Sequence, residues 1–125
     1  MNMPSNLRFT EDHEWVVIDG DVAMVGVTAY AADQLGDIVF VDVATVGETL
    51  DGGEIYGSIE AVKTVSDLFL PIGGEIIEFN EELEANPAII NEDPYGAGWI
   101  IKVKPNNPDE VNDLLTHEEY LKITE

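Results

Sequence analysis

Over the first hundred positions, apolar and β-branched residues come in short runs, and the breaks between runs carry glycine, proline, asparagine or aspartate. Runs of this length and composition predict strands rather than helices. Glu14–Ile18, Asp21–Val27 and Ile38–Val43 are three such runs, and Asp19-Gly20 between the first two is a hairpin signal. An antiparallel meander is expected. After the second run, Thr28 is placed to cap a short helix over Ala29–Leu35. Gly36 would end that helix in the left-handed conformation that glycine adopts without strain.

The words Gly52-Gly53-Glu54-Ile55 and Gly73-Gly74-Glu75-Ile76 recur 21 residues apart, which predicts two similar strand entries. Between them, Glu54–Val62 and Val65–Leu70 have strand composition, so Lys63-Thr64 falls where the chain must reverse, at a hairpin tip. Turn signals at Asn86-Pro87, Asp93-Pro94 and Tyr95–Gly98 precede one more strand, Trp99–Lys104. Asn107 then caps a terminal helix expected from about 108 to 123. Pro108 fits its first position, Glu110 completes a capping-box spacing, and Val111, Leu114 and Leu115 form its apolar face. Thr116 and Glu119 offer a second start, with Tyr120, Leu121 and Ile123 packing inward.

The chain has 125 residues, one domain's length, with an ordinary hydrophobic fraction of 45%. Its charge is not ordinary: 26 acids face 5 bases, for a formal net charge of −21. That charge repels phosphate backbones and anionic membrane surfaces, so neither nucleic acid nor membrane is an expected partner. An acidic surface nearly free of lysine suits concentrated salt, where the Debye length falls to about 3 Å at 1 M and repulsion is screened. A halophilic cytoplasm is the corresponding expectation. The absence of cysteine excludes disulfides, thiolate nucleophiles and cysteine-ligated zinc, so any sulfur chemistry must come from a cofactor. Two histidines far apart in sequence give no metal signature. No apolar run approaches the roughly 20 residues of a spanning helix, and Met1–Asn6 has neither a basic start nor an apolar stretch.

Lys63 is the only lysine or arginine between Arg8 and Lys102. One account is a surface ion pair with Glu60 or Asp67, worth about 0 to 1 kcal/mol. The other is an attachment point, since a tight hairpin presents one amine rigidly enough for a modifying enzyme to find.

Around that lysine the segment Gly57–Ile76, with Glu60-Ala61-Val62-Lys63-Thr64-Val65-Ser66-Asp67 at its centre, resembles the lipoylation segment of the glycine cleavage H-protein family. Further matches run in order along nearly the whole chain: His13-Glu14-Trp15, Leu35–Val41, Asn91–Tyr95, Gly98-Trp99 and the terminal helix. Dispersed matches in order are far more specific than one short motif. The resemblance implies a mostly β barrel-sandwich hybrid, two small antiparallel sheets with a short internal helix and a carboxyl-terminal helix. It also implies lipoic acid joined to Lys63 as an amide, on a carrier that itself catalyses nothing. Implied partners are the lipoylating enzyme and three others visited in turn: a glycine decarboxylase, a tetrahydrofolate-dependent aminomethyltransferase and a dihydrolipoamide dehydrogenase. The carrier is expected to be a cytoplasmic monomer.

By the same resemblance, Glu14 and Asp67, with Asp12 nearby, hold the ammonium of the aminomethyl group; nearby carboxylates favour the charged amine and so protect the group from loss to water. Taken by itself, Glu14 reads as a solvated acid at a strand end. Two departures from the family pattern concern this pocket: Tyr30 and Gln34 stand in a segment where relatives often carry histidine, and Asp12 where many have an uncharged residue. A biotinyl-type carrier shares the hairpin lysine but flanks it with methionine, whereas Val62 and Thr64 stand here. Another alternative is a lipoyl donor serving other lipoate-dependent complexes. An enzyme is disfavoured, since no serine or threonine has a recognisable triad context.

Overall fold

The computed structural model describes residues 7–124, so the hexapeptide Met1–Asn6 and Glu125 lie outside the description. Among the described residues nine strands, all paired antiparallel, make two sheets. In chain order the elements are β1 (Arg8–Phe9), β2 (Glu14–Asp19), β3 (Val22–Val27), α1 (Ala29–Leu35), β4 (Ile38–Asp42), β5 (Thr49–Leu50), β6 (Ile55–Ala61), β7 (Val65–Phe69), β8 (Gly74–Phe79), α2 (Glu82–Ala85), α3 (Ile89–Glu92), β9 (Ile101–Pro105), a 3-10 turn (Pro108–Asp113) and α4 (His117–Thr124). One sheet runs β1-β2-β3-β9-β8-β5 and the other β4-β6-β7. The expected meander, hairpin and internal helix are all present. The first reversal falls on Gly20-Asp21, one residue later than the Asp19-Gly20 signal.

Alternation along the strands supplies the core. Val25 of β3, Val41 of β4, Ile59 of β6, Leu68 of β7, Ile76 of β8 and Val103 of β9 are buried in one cluster with Tyr56, Leu70 and Ile72. Each such side chain contributes about 1.5–3 kcal/mol relative to its exposed state. A second cluster, Leu7, Phe9, Trp15 and Tyr120, lies beneath α4. Trp15 crosses Gly26 on the paired strand, where a Cβ would stand 2.7 Å from the indole ring, so the strand pair can carry a buried tryptophan only with glycine opposite. The indole nitrogen donates to the Pro94 carbonyl at 2.9 Å, which satisfies its one polar group.

Helix α1 forms where its caps predict. The Thr28 side chain accepts from Ala31 N–H, and Gly36, at φ 82°, closes the helix by donating to the Ala32 carbonyl. The carboxyl-terminal helix departs from expectation: a single run from 108 to 123 is not formed. Asn107 and Pro108 start only the 3-10 turn, because Leu115 is drawn into a backbone bridge with Phe9, each N–H donating to the other's carbonyl at 2.9 Å. Arg8 also donates to the Leu114 carbonyl at 3.3 Å. Helix then restarts at Thr116, where the reciprocal capping box forms: Thr116 N–H donates to Glu119 Oε1 and Glu119 N–H to Thr116 Oγ1. On α4 Tyr120 packs inward as expected, but Leu121 and Ile123, expected to pack beside it, are 45% and 47% exposed. The last strand begins at Ile101 rather than Trp99. Among the described residues no helix is long and apolar enough to cross a membrane.

Candidate functional site

The connection between β6 and β7 is Val62-Lys63-Thr64, closed by Ala61 N–H donating to the Thr64 carbonyl at 2.7 Å. Val62 N–H donates to the Asp37 carbonyl at 3.0 Å, which anchors the tip to the turn after α1. Lys63 is exposed at this tip. Its stem lies over Gly36, where a Cβ would stand 3.3 Å from Lys63 Cε, so the positive-φ glycine that ends α1 also leaves room for the lysine. Among the described residues Lys63 makes no ion pair with Glu60 or Asp67; the salt bridge found is Lys102 to Glu78 at 3.8 Å. The ion-pair account of this lysine therefore does not hold.

Beside the hairpin lies a cleft of about 170 Å³, with Asp12, His13 and Glu14 on one wall, Ala31, Gln34 and Leu35 of α1 on another, and Ser66, Asp67 and Leu68 of β7 on the third. The structure brings the three predicted carboxylates together. They are not equivalent: Asp12 and Asp67 are exposed, while Glu14 is 2% exposed. The solvated strand-end reading of Glu14 is therefore corrected. Phe69 N–H donates to its Oε2 at 2.6 Å, and its buried Oε1 has no partner among the described residues. Burial pushes the Glu14 carboxyl well above its ordinary 4.5; the Phe69 hydrogen bond opposes that rise and the Asp12 charge adds to it. Tyr56, whose buried hydroxyl also lacks a partner, is pushed up by burial and by the Glu14 charge.

His13, to which the sequence assigns no role beyond its place in the His13-Glu14-Trp15 match, sits between Asp12 and Glu14 at φ 64°, the one non-glycine residue with positive φ among those described. Such a backbone costs about 1–3 kcal/mol and persists only where its surroundings impose it. Here they do. His13 N–H donates to the Thr10 carbonyl, Thr28 N–H to the His13 carbonyl, and the ring meets Tyr120 Oη at 2.9 Å while packing at a tilt of 37° on Tyr30, centroids 4.6 Å apart. The left-handed residue turns the chain so that Asp12 and Glu14 both reach the cleft. Its only sequence signal is the position of His13 before Glu14-Trp15. Tyr30 reaches the site as a support for this ring, and Gln34 as part of the wall.

A lysine standing free on a short hairpin, next to an apolar cleft rimmed by acids, can carry a group in amide linkage and shelter a small cation at its end. Comparison with known proteins agrees. The family Glycine cleavage H-protein matches residues 7–125. The chain is 60% identical over 120 residues to the glycine cleavage system H protein of Bacteroides thetaiotaomicron, covering 96% of this chain and 95% of that one. It is 48% identical to that of Halothermothrix orenii, over 100% of this chain and 98% of the other. The crystal structure of a glycine cleavage system H protein from Mycobacterium marinum superposes with a TM-score of 0.87 at 44% identity, covering 97% of this chain and 98% of that one. The two sheets, with the internal helix α1 and the carboxyl-terminal helix α4, are thus a barrel-sandwich hybrid, and the chain belongs to the glycine cleavage H-protein family, the non-catalytic lipoyl carriers of glycine cleavage.

Proposed function

We propose that Lys63 is the residue that carries the lipoyl group, and that the adjoining cleft holds the loaded end of the arm through Glu14, Asp67 and Asp12. One observation carries the reading: an exposed lysine, with no ion pair among the described residues, stands on the three-residue reversal that leads into β7, whose Ser66, Asp67 and Leu68 line an acid-flanked apolar cleft. When bound, the lipoyl group supplies a strained disulfide that the one-carbon unit of glycine opens and a dehydrogenase closes again. The chain's own residues bind, orient and shelter. Val27, Ala31, Leu35, Ile59 and Leu68 wall the cleft against water. Glu14 meets a guest cation with a carboxylate already ordered by Phe69 N–H. Burial pushes the Glu14 carboxyl upward, and a cation entering beside it opposes that push, so guest binding and Glu14 ionisation favour each other. Holding a guest amine protonated withholds the lone pair that would release the one-carbon unit to water.

In this reading the arm visits glycine decarboxylase, the aminomethyltransferase and dihydrolipoamide dehydrogenase in turn, after a lipoylating enzyme has recognised the hairpin. Tethering raises the effective concentration of the group at each active site without any new contact. Intact-mass measurement of the chain from its own host, grown on glycine, is the test. A lipoyl-sized increment mapped to Lys63 is expected; an unmodified Lys63 under those conditions would overturn the reading.

A further inference from the structure

The strained His13 is tied to the far end of the chain. Tyr120 Oη of α4 lies 2.9 Å from His13 Nδ1 and 2.7 Å from Thr28 Oγ1, and Thr28 is fully buried. Thr28 Oγ1 already accepts the Ala31 N–H as the cap of α1. Among the described residues the only acceptor left for the Thr28 hydroxyl proton is Tyr120 Oη. Leaving that proton unbonded in the interior would forfeit a buried hydrogen bond, so Thr28 donates to Tyr120. Tyr120 then gives its single proton to His13 Nδ1, which must be an acceptor, and the imidazole carries its own proton on Nε2. The cap of α1 thereby fixes the direction of a three-member chain that ends in the cleft wall. Tyr120 is itself held by stacking on Phe9 at 4.6 Å, and the backbone bridge between Phe9 and Leu115 fixes where α4 begins.

We propose that α4, acting through Tyr120, is a positioning element of the arm cleft: it holds His13 as the Nε2–H tautomer in its left-handed conformation and so sets Asp12 and Glu14 on either side. Tyr120 and Thr28 are positioning residues and touch no substrate. The claim rests on the carrier reading for its consequence, but the hydrogen-bond chain exists in the unmodified protein and can be read there. Its role is to keep the carboxylates aimed at the loaded arm, so its loss affects retention of the one-carbon unit and not its uptake.

The experiment uses the full chain labelled with ¹⁵N, in which only His13 and His117 contribute imidazole signals. His117→Gln assigns them. In the unmodified protein at neutral pH, His13 is expected to show the Nε2–H tautomer alone. Tyr120→Phe, which keeps the ring on Phe9, is expected to give a mixture of tautomers. Thr28→Ala does the same while Thr28→Ser restores the single form, so the pair decides the question even if Tyr120→Phe folds poorly. An Nδ1–H imidazole in the parent chain, or a tautomer ratio unmoved by these variants, would overturn the chain of donors. In the lipoylated, loaded carrier, Tyr120→Phe is expected to raise formaldehyde release about fivefold, the scale of one lost hydrogen bond, with loading by the decarboxylase within about twofold of the parent. Unchanged release beside a changed tautomer would overturn the positioning role and leave the carrier reading intact. A missing mass increment on Lys63 would overturn the carrier reading and leave the tautomer result standing, so the two failures have different signatures.

Discussion

Lys63 and Glu14, the two ends of the path proposed for the arm, are built on opposite physical terms. The lysine occupies a three-residue tip, exposed and with no ion pair among the described residues, on a hairpin held by backbone hydrogen bonds. The glutamate is buried, held by one backbone N–H and flanked by a residue in a strained conformation. Attachment and transport need freedom at the amine; retention needs restraint at the carboxylate. The fold brings the two together from distant parts of the chain, the amine on the β6–β7 reversal and the carboxylate at the start of β2, where Phe69 N–H of β7 reaches it.

The largest effect breaks the free end. Lys63→Arg keeps the charge and the exposed hairpin but offers no amine for amide formation, so lipoylation and glycine cleavage are expected to vanish together, with unchanged far-UV circular dichroism and melting temperature. Residual glycine cleavage above background would contradict the assignment of this residue.

Next comes the restrained end, where function and stability should move in opposite directions. Glu14→Gln removes a charge-assisted contact worth about 1.5–3 kcal/mol, so release of the one-carbon unit from the loaded carrier should quicken by roughly one to two orders of magnitude. The sign for stability follows from the raised Glu14 pKa. The folded state keeps this proton more tightly than the unfolded chain, so the favourable contribution is complete below the ordinary 4.5 and is lost as pH rises through the folded value. At pH 7 the glutamine variant should therefore melt a few degrees higher than the parent, and the gap should close as pH falls toward 4.5. A variant less stable than the parent at pH 7 would show that the buried carboxylate contributes packing or hydrogen bonding that outweighs its desolvation.

Gly36 joins the two ends, and its substitution tests how far they are coupled. Alanine there must adopt φ 82° and place its Cβ 3.3 Å from Lys63 Cε. A loss of about 1–2 kcal/mol is expected from the backbone. Displacement of the lysine stem should slow modification by the lipoylating enzyme several-fold, measured as the initial rate of mass gain. Modification at the parental rate, with the stability loss present, would show that the glycine serves only the helix end.

The same contrast explains what could be read from the chain alone. The hairpin tip was legible because strand composition on both sides leaves Lys63 nowhere else to go, and a solitary lysine in so acidic a chain marks itself. Strands β2, β3, β4, β6 and β7, and the caps of α1, followed from local alternation and turn chemistry. The burial of Glu14 did not. A charged residue at the first position of a strand looks solvated, and only the packing of α1 and β7 over it, with Phe69 N–H as partner, reverses that. The terminal helix departs from its local signals for a related reason. Asn107-Pro108 is a sound local start, yet the backbone pairing of Leu115 with Phe9, more than a hundred residues away, outweighs it and moves the helix to the second capping box. Local signals decide elements whose partners are neighbours in sequence; long-range bonds decide the rest.

Salt should separate the two kinds of carboxylate, with the smallest effect. Asp67 is exposed, so Asp67→Asn is expected to speed one-carbon release by only a few-fold, within the 0 to 1 kcal/mol or so of a solvated ion pair. Raising ionic strength toward 1 M shortens the Debye length to about 3 Å and should erase most of that difference, while the Glu14→Gln effect, set in a buried site, persists. The global response runs the other way. Repulsion among 26 acids, offset by only 5 bases, is screened, so the melting temperature of the parent chain should rise with salt. A melting temperature independent of salt would mean that the acidic surface is spaced widely enough to need no screening. An Asp67→Asn effect that survived 1 M salt would mean that the aspartate is drawn under the arm and behaves as a second buried anchor, and the contrast between one restrained carboxylate and its exposed neighbours would have to be abandoned.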